Sequence, residues 1–221
     1  MAKQPPVRAV LFDLDGTLAD TGRDLAAVLN QLLIEEGCSP LPYEVIRPQV
    51  SNGAMALLRL GFGLDDGLNE KRLSSFLALY QQQLCVKTGL FDGISELLKV
   101  IEEAGLLWGV VTNKPSYLTD PLMVQLELAG RSSVTVSGDT LAHKKPHPEQ
   151  LYFACEQLEI LPTQAIYLGD AARDIEAGQR AGMRTAAAAW GYLAENEDIN
   201  AWRADVLLQH PKELMPLLFD V

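Results

Sequence analysis

The sequence predicts an α/β fold: a doubly wound parallel sheet with helices on both faces, interrupted near its start by an inserted helical domain. Three observations predict it. An apolar run near the N-terminus stops abruptly in acids, within Leu11-Phe-Asp-Leu-Asp-Gly-Thr-Leu18. From about residue 90 onward, short apolar runs alternate with helical periodicity, the pattern of a parallel sheet with crossover helices. Between these regions lie roughly seventy residues with helical periodicity alone, too long for a simple crossover.

The elements follow in order. The apolar run over residues 7–14 reads as a strand buried on both faces. It ends in Asp13, Asp15, Gly16 and Thr17, at the carboxyl end of a strand, where open α/β sheets bind their ligands. Period-two alternation places Asp13 and Asp15 on one side, within reach of one substrate or one cation. Leu25, Val28, Leu29, Leu32 and Leu33 then make the apolar stripe of a helix, and Gly37 stops it. Met55 and Leu58 belong to a second helical stretch; Leu73, Phe76, Leu77, Tyr80 and Leu84 belong to another, with Asn69 as its expected N-cap. The predicted organisation is therefore a core of residues 1–19 and 90–221, with a helical cap domain over 20–89.

Beyond the insert, Ile94, Leu97, Leu98 and Ile101 mark a helix introduced by Asp92 and closed by Gly105. Strands are expected at 107–113, 133–137, 165–170 and 184–190, with an edge strand at 206–208. Helices are expected at 121–128, at 148–158 with proline in the first turn, at 174–181 before Gly182, and at 212–219.

The chain has 221 residues, of which 48% are hydrophobic and 21% charged, enough to build a sizeable core. Its net charge of −11 argues against a nucleic-acid partner, which demands a basic surface. Cys38, Cys85 and Cys155 are odd in number and widely spaced, the pattern of reduced thiols rather than a disulfide framework or a zinc site. The first residues, Met1-Ala-Lys-Gln-Pro-Pro6, lack the apolar stretch of a signal peptide, and no run approaches a membrane span, so a cytoplasmic protein is expected.

Several strand ends could converge on Asp13. Thr112 and Asn113 end one strand, Asp170 ends another, and Asp174 follows four residues on. His143-Lys-Lys-Pro-His147 lies between them and places Lys145 before a proline, in a loop that cannot be helical. Asp13, Asp15, Asp170 and Asp174 would crowd one edge. Like charges about 4 Å apart repel by roughly 4 kcal/mol even at an effective dielectric of 20. Such a cluster requires a cation or forces protonation. Hard oxygens without His or Cys favour Mg2+.

The stretch LFDLDGTL resembles the first motif of the haloacid dehalogenase superfamily, and the other three motifs recur in order: Thr112-Asn113, Lys145, and Gly169-Asp-Ala-Ala-Arg-Asp174. The resemblance spans nearly the whole chain. It implies a Rossmann-like core with an inserted helical cap, and a Mg2+-dependent phosphatase acting on a small phosphate monoester through an aspartyl-phosphate. Asp13 matches the nucleophile and a metal ligand. Asp15 matches the acid/base, its main-chain carbonyl on the metal. Thr112 and Asn113 match phosphate-binding positions. Lys145 matches the lysine that steadies the nucleophile and the phosphoryl group, with Lys144 beside it as the alternative. Asp170 and Asp174 match the direct and water-mediated metal ligands.

The superfamily's dehalogenases lack the second acid, here Asp15, and its phosphonate hydrolases use a cap lysine motif that neither Lys71 nor Lys87 matches. Sugar-phosphate mutases share all four motifs and remain an alternative. A receiver-like phosphate-accepting domain is another, although it needs neither the insert nor the paired acid. Within the superfamily, Val110-Val-Thr-Asn-Lys-Pro115, Lys144-Lys-Pro-His-Pro148 and Ser51-Asn-Gly53 are similar to phosphoglycolate phosphatase-like enzymes. Leu106 to Pro115, Arg173-Asp-Ile-Glu176 and the tail Asn200-Ala-Trp-Arg-Ala-Asp205 with His210-Pro211 are similar to the N-acetylmuramic acid 6-phosphate phosphatases. Selectivity is expected in the insert, where Arg47, Ser51, Asn52 and Gly53 are the candidates for the substrate's non-phosphate end.

Overall fold

The computed structural model describes residues 6–219; of the N-terminal stretch read above for a leader, Met1–Pro5 lie outside them. Six strands form one parallel sheet: β1 (Ala9–Phe12), β4 (Leu107–Val111), β5 (Val134–Val136), β6 (Ala165–Gly169), β7 (Arg184–Ala188) and β8 (Val206–Leu208). Their order is β5-β4-β1-β6-β7-β8, and every neighbouring pair is parallel. Thus β1 is central, and the strands' carboxyl ends share one edge.

Strand alternation divides the apolar side chains between two cores. Val10 and Phe12 of β1 join one, with α5 (Ile94–Glu103), α6 (Ser116–Gln125) and α9 (Met215–Phe219); Ala9 and Leu11 join the other, with α7 (Glu149–Gln157) and α8 (Ala172–Ala181). This is the expected doubly wound architecture. All four residues of β1 and all five of β6 are buried, which explains why both read as continuous apolar runs.

Between β2 (Ala19–Asp20) and β3 (Gly89–Leu90), which pair antiparallel, the chain is helical: α1 (Gly22–Glu35), α2 (Tyr43–Ile46), a 3-10 turn (Arg47–Asn52), α3 (Ala54–Phe62) and α4 (Asp66–Gln82). Leu25, Val28, Leu29, Leu32 and Leu33 of α1 are all buried, as their spacing predicts. Asp24, in the first turn of α1, ties the two crossings together: its carboxylate accepts from the Lys87 and Thr88 peptide N–H groups and from Thr88 Oγ1. Among the described residues no helix is long and apolar enough to cross a membrane, and Cys38, Cys85 and Cys155 are free thiols.

Several boundaries differ from expectation. Helix α4 is capped by Asp65, whose carboxylate accepts from Leu68 N at 3.1 Å. Asn69 lies inside that helix, its side-chain amide donating to Gly63 O instead. Helix α5 starts from Gly93 in the left-handed region at φ 82°, so exposed Asp92 does not cap it. Helix α6 starts at Ser116, well before Pro121, because extended Pro115 offers its carbonyl to Leu118 N and Thr119 N. Proline therefore sits within α6 rather than in its first turn. The last helix is shortened to Met215–Phe219, after a 3-10 turn begun by Pro211.

Candidate active site

Three strand ends build the site. Just beyond β1, Asp13 donates its peptide N–H to Leu168 O at 2.9 Å, and its Oδ1 accepts from Leu14 N at 2.8 Å. The chain then turns through Gly16 at φ +88°, where any Cβ would run into the Asp170 carboxylate. Only glycine satisfies both constraints. At the end of β6, Asp170 accepts from Thr17 Oγ1 at 3.3 Å and from Tyr192 N at 3.0 Å. One turn on, Asp174 accepts from Ala171 N at 3.0 Å at the start of α8.

Asp13, Asp170 and Asp174 are all buried, and each offers an oxygen within 4.8 Å of the others. Lys145 lies under them: its Nζ is 2.9 Å from Asp13 Oδ1, 2.8 Å from Asp174 Oδ1 and 3.0 Å from Val111 O. It also donates to the Tyr167 hydroxyl at 2.8 Å, which in turn donates to Val111 O at 2.9 Å. Lys144 is exposed, so of the two neighbouring lysines it is Lys145 that reaches the acids. Asn113 holds this loop by accepting from Lys145 N and donating to Lys145 O, each at 3.0 Å. Gln150 braces it from α7, accepting from Lys145 N and donating to Thr112 O and Ser137 O.

The electrostatics record burial first and crowded negative charge second. Burial, then Asp13 and Asp174, push the Asp170 carboxyl up to about 7, against the lowering effect of the Ser51 and Tyr192 hydrogen bonds. Burial raises Asp174 as well, although Lys145 opposes it. Burial alone would lower the Lys145 ammonium, but Asp13 and Asp174 more than offset it and hold the lysine charged.

Asp15 stands apart. Four acids crowding one edge were expected; the structure gathers three carboxylates, because the turn at Asp15 and Gly16 ends the strand alternation. The Asp15 carboxylate instead accepts from Thr21 Oγ1 at 2.6 Å and from Lys114 Nζ at 2.9 Å. Lys114 also donates to the Tyr80 hydroxyl of α4 at 2.9 Å. Burial would lower the Lys114 ammonium, but Asp15 and Tyr80 outweigh it and raise its pKa. Chiefly by burial, the Tyr80 phenol is pushed up to about 12.

A cleft of about 310 Å3 opens between this edge and the helical segment, and Asp13, Asp15, Thr112, Asn113, Lys114 and Arg173 line its sheet side. Leu25, Val50, Ala54, Phe76, Leu77 and Tyr80 line the facing side. Ser51, Asn52 and Gly53 also line the cleft. Ser51 turns toward the acids, donating to Asp170 Oδ2 at 2.6 Å, and Arg173 donates to the Ser51 carbonyl. Arg47, expected at the substrate's far end, is not among the lining residues. Its guanidinium donates to Trp190 O at 3.0 Å and lies 5.3 Å from the Tyr192 ring centre, which gives it a packing role. Sequence reasoning left Lys114, Tyr80, Tyr167 and Arg173 without a role in the site. Lys114 had a usable signal in its position directly after Asn113; Tyr80 and Tyr167 read as core, and nothing local marks their hydroxyls.

The sequence profile of the haloacid dehalogenase-like hydrolases matches residues 10–188. An N-acetylmuramic acid 6-phosphate phosphatase of Pseudomonas putida is 44% identical over 215 residues, 96% of each chain. A phosphoglycolate phosphatase of Xanthomonas campestris is 43% identical over 208 residues, 94% of each chain. Among solved structures, a predicted phosphoglycolate phosphatase from Haemophilus somnus superimposes with a TM-score of 0.85 at 25% identity, covering 98% of this chain and 99% of that one.

Proposed function

This chain belongs to the haloacid dehalogenase-like hydrolase family, and on that premise we propose that it is a Mg2+-dependent phosphatase that hydrolyses a small phosphate monoester through an aspartyl-phosphate on Asp13. The observation that carries the reading is the buried nest of Asp13, Asp170 and Asp174 on Lys145, at the sheet edge that floors the cleft.

The nest suits the ion. Its donors are hard carboxylate oxygens, and burial, with Asp13 and Asp174 adding to it, raises the Asp170 carboxyl, so the site disfavours holding all three acids ionised without a further cation. Asp13, Asp170 and Asp174 would hold Mg2+ together with the main-chain carbonyl of Asp15. When bound, the ion would neutralise charge on the phosphoryl oxygens.

The chain's own groups do the rest. An Asp13 oxygen attacks phosphorus as the bond to the leaving oxygen breaks, and Asp15 supplies the proton which that oxygen needs. In the second half, Asp15 takes a proton from water as the water attacks phosphorus, releasing inorganic phosphate and restoring Asp13. Lys145 keeps Asp13 ionised and aimed, Thr112 places its hydroxyl on the phosphoryl group, and Asn113 secures the Lys145 loop. Residues 20–89 act as the cap over a core of 1–19 and 90–221, excluding water from the phosphoenzyme. A reduced, cytoplasmic setting belongs to the same reading and is supported by three free thiols.

N-acetylmuramic acid 6-phosphate and 2-phosphoglycolate are the candidate substrates. A cleft of about 310 Å3 with an apolar facing wall favours the larger, since a two-carbon acid would leave that wall uncovered. The test is a screen of phosphate monoesters, both candidates included, with and without Mg2+. Mg2+-dependent release of phosphate, with kcat/KM for the amino sugar ester higher by about tenfold or more, is expected. A folded protein that releases phosphate from no ester would end the proposal.

A further inference from the structure

Lys114 is the unexplained cation of the cleft. Its side chain is only 6% exposed, yet it lines the cavity. An ammonium has three donors; here both Asp15 carboxylate oxygens, at 2.9 and 3.2 Å, and the Tyr80 hydroxyl, at 2.9 Å, accept from it, and a substrate group would share or replace one of these contacts. Tyr80 itself is buried, with its ring centre 4.5 Å from Nζ, so the lysine is held from two sides rather than swinging in solvent.

Position then defines its task. The phosphoryl group belongs over Asp13, where Lys145 is the adjoining cation. Lys114 adjoins Asp15, the group that must face the leaving oxygen, so it stands on the side from which the rest of the substrate emerges. The other cation lining the cleft, Arg173, stands on the opposite side: it donates to the Ser51 carbonyl and lies in the field of Asp174, Asp13 and Asp170. Apolar side chains share the cleft lining with Lys114, among them Leu25, Phe76, Leu77 and Leu118. A buried cation attracts an anion more strongly than an exposed one, here alongside its Asp15 partner.

We propose that Lys114, held in place by Tyr80, is the specificity residue that binds a carboxylate on the leaving-group side of the substrate, so that the preferred substrates are phosphate monoesters of carboxylic acids. The assignment rests on the phosphatase reading above and deepens it. It gives the two candidate substrates a shared feature, because both muramic acid and glycolic acid carry a carboxylate. It also offers an attraction local enough to act within a chain of net charge −11.

The test compares matched esters: 2-phosphoglycolate against its neutral amide, with an aryl phosphate as the reference for turnover, all at saturating Mg2+. Wild-type protein is expected to favour the acid over the amide by about tenfold or more in kcat/KM, the difference residing mainly in KM. Lys114→Met is expected to bring that ratio to within about twofold of unity. Any damage relayed through Asp15 falls on both esters alike, so the ratio isolates recognition of the carboxylate. Lys114→Arg keeps the charge and is expected to keep most of the preference. Tyr80→Phe is expected to weaken it by about threefold to fivefold through a less confined ammonium. If Lys114→Met does not fold, the other two variants decide. An equal preference in all variants that fold, or no preference in the wild type, overturns the assignment while aryl phosphate turnover leaves the phosphatase reading standing. Wild-type protein that hydrolyses neither these three esters nor any ester of the wider screen overturns both.

Discussion

The two walls of the cleft are built from opposite materials. On the sheet side, Asp13, Asp174, Lys145, Tyr167, Asn113 and Gln150 interlock, each buried or half-buried and each holding another. On the helical side, Leu25, Val50, Phe76 and Leu77 present carbon, and Tyr80 and Ser51 alone among the named contacts reach across to charged groups. The contrast teaches where chemistry and choice reside. A wall of interlocked charges tolerates one arrangement, because any lost partner leaves a buried charge uncompensated. An apolar wall discriminates by shape and tolerates substitution at the cost of fit.

The sharpest way to break this contrast is at Asp13. Asp13→Asn is expected to reduce steady-state phosphate release by at least about 10^4-fold, since it removes the proposed nucleophile. Comparable loss from a helical-wall substitution would erase the distinction. Asp15→Asn is expected to stall the cycle midway: with an activated leaving group, mass spectrometry should find the protein carrying one phosphoryl group that does not turn over, and an unmodified protein would contradict the acid/base role.

Charge on the sheet wall also predicts how stability follows pH. The Asp170 carboxyl is raised from its ordinary value near 3.8 to about 7 in the folded, metal-free protein. The native state therefore binds the extra proton between those values. Its stabilising effect is complete below about pH 4 and is lost as pH rises through about 7. Chelated protein should thus lose a few kcal/mol of unfolding free energy across that window. Added Mg2+ should recover most above pH 7, because the ion replaces the proton as counter-charge. Denaturant midpoints with and without Mg2+ measure this, and a flat profile for the chelated protein would count against an uncompensated nest.

Smaller effects sharpen the comparison. Tyr167→Phe removes the hydroxyl between Lys145 Nζ and Val111 O, and should cost about 1 kcal/mol of stability and about tenfold in kcat, with KM little changed. Leu77→Ala on the facing wall should do the reverse: KM for the amino sugar ester up by about threefold to tenfold, with kcat for an aryl phosphate within about twofold.

Much of this was legible in the linear chain. Strands buried on both faces leave continuous apolar runs, so β1, β4, β6 and β7 could be placed within a few residues, and the acids that end β1 and β6 pointed to the functional edge. Helix starts were less legible. Asp65 and Asn69 are both good caps by composition, and the choice between them depended on which carbonyl needed a donor; Gly63 took the Asn69 amide. Arg47 shows the same limit, a plausible anion binder whose guanidinium is occupied by Trp190 O from the far end of the chain.

By itself the sequence determined the alternation of elements, the parallel sheet and the set of acids available for chemistry, because periodicity and strand-end residues are local properties. Only the tertiary structure decided that three of four acids share a nest while Asp15 turns to Lys114, that Lys145 rather than Lys144 sits beneath them, and that Tyr80 crosses from the helical wall. Those outcomes depend on which charges meet after burial. The meeting partners lie far apart along the chain, by 99 residues for Asp15 and Lys114 and by more for Asp13 and Lys145, and no local pattern encodes pairings of that span.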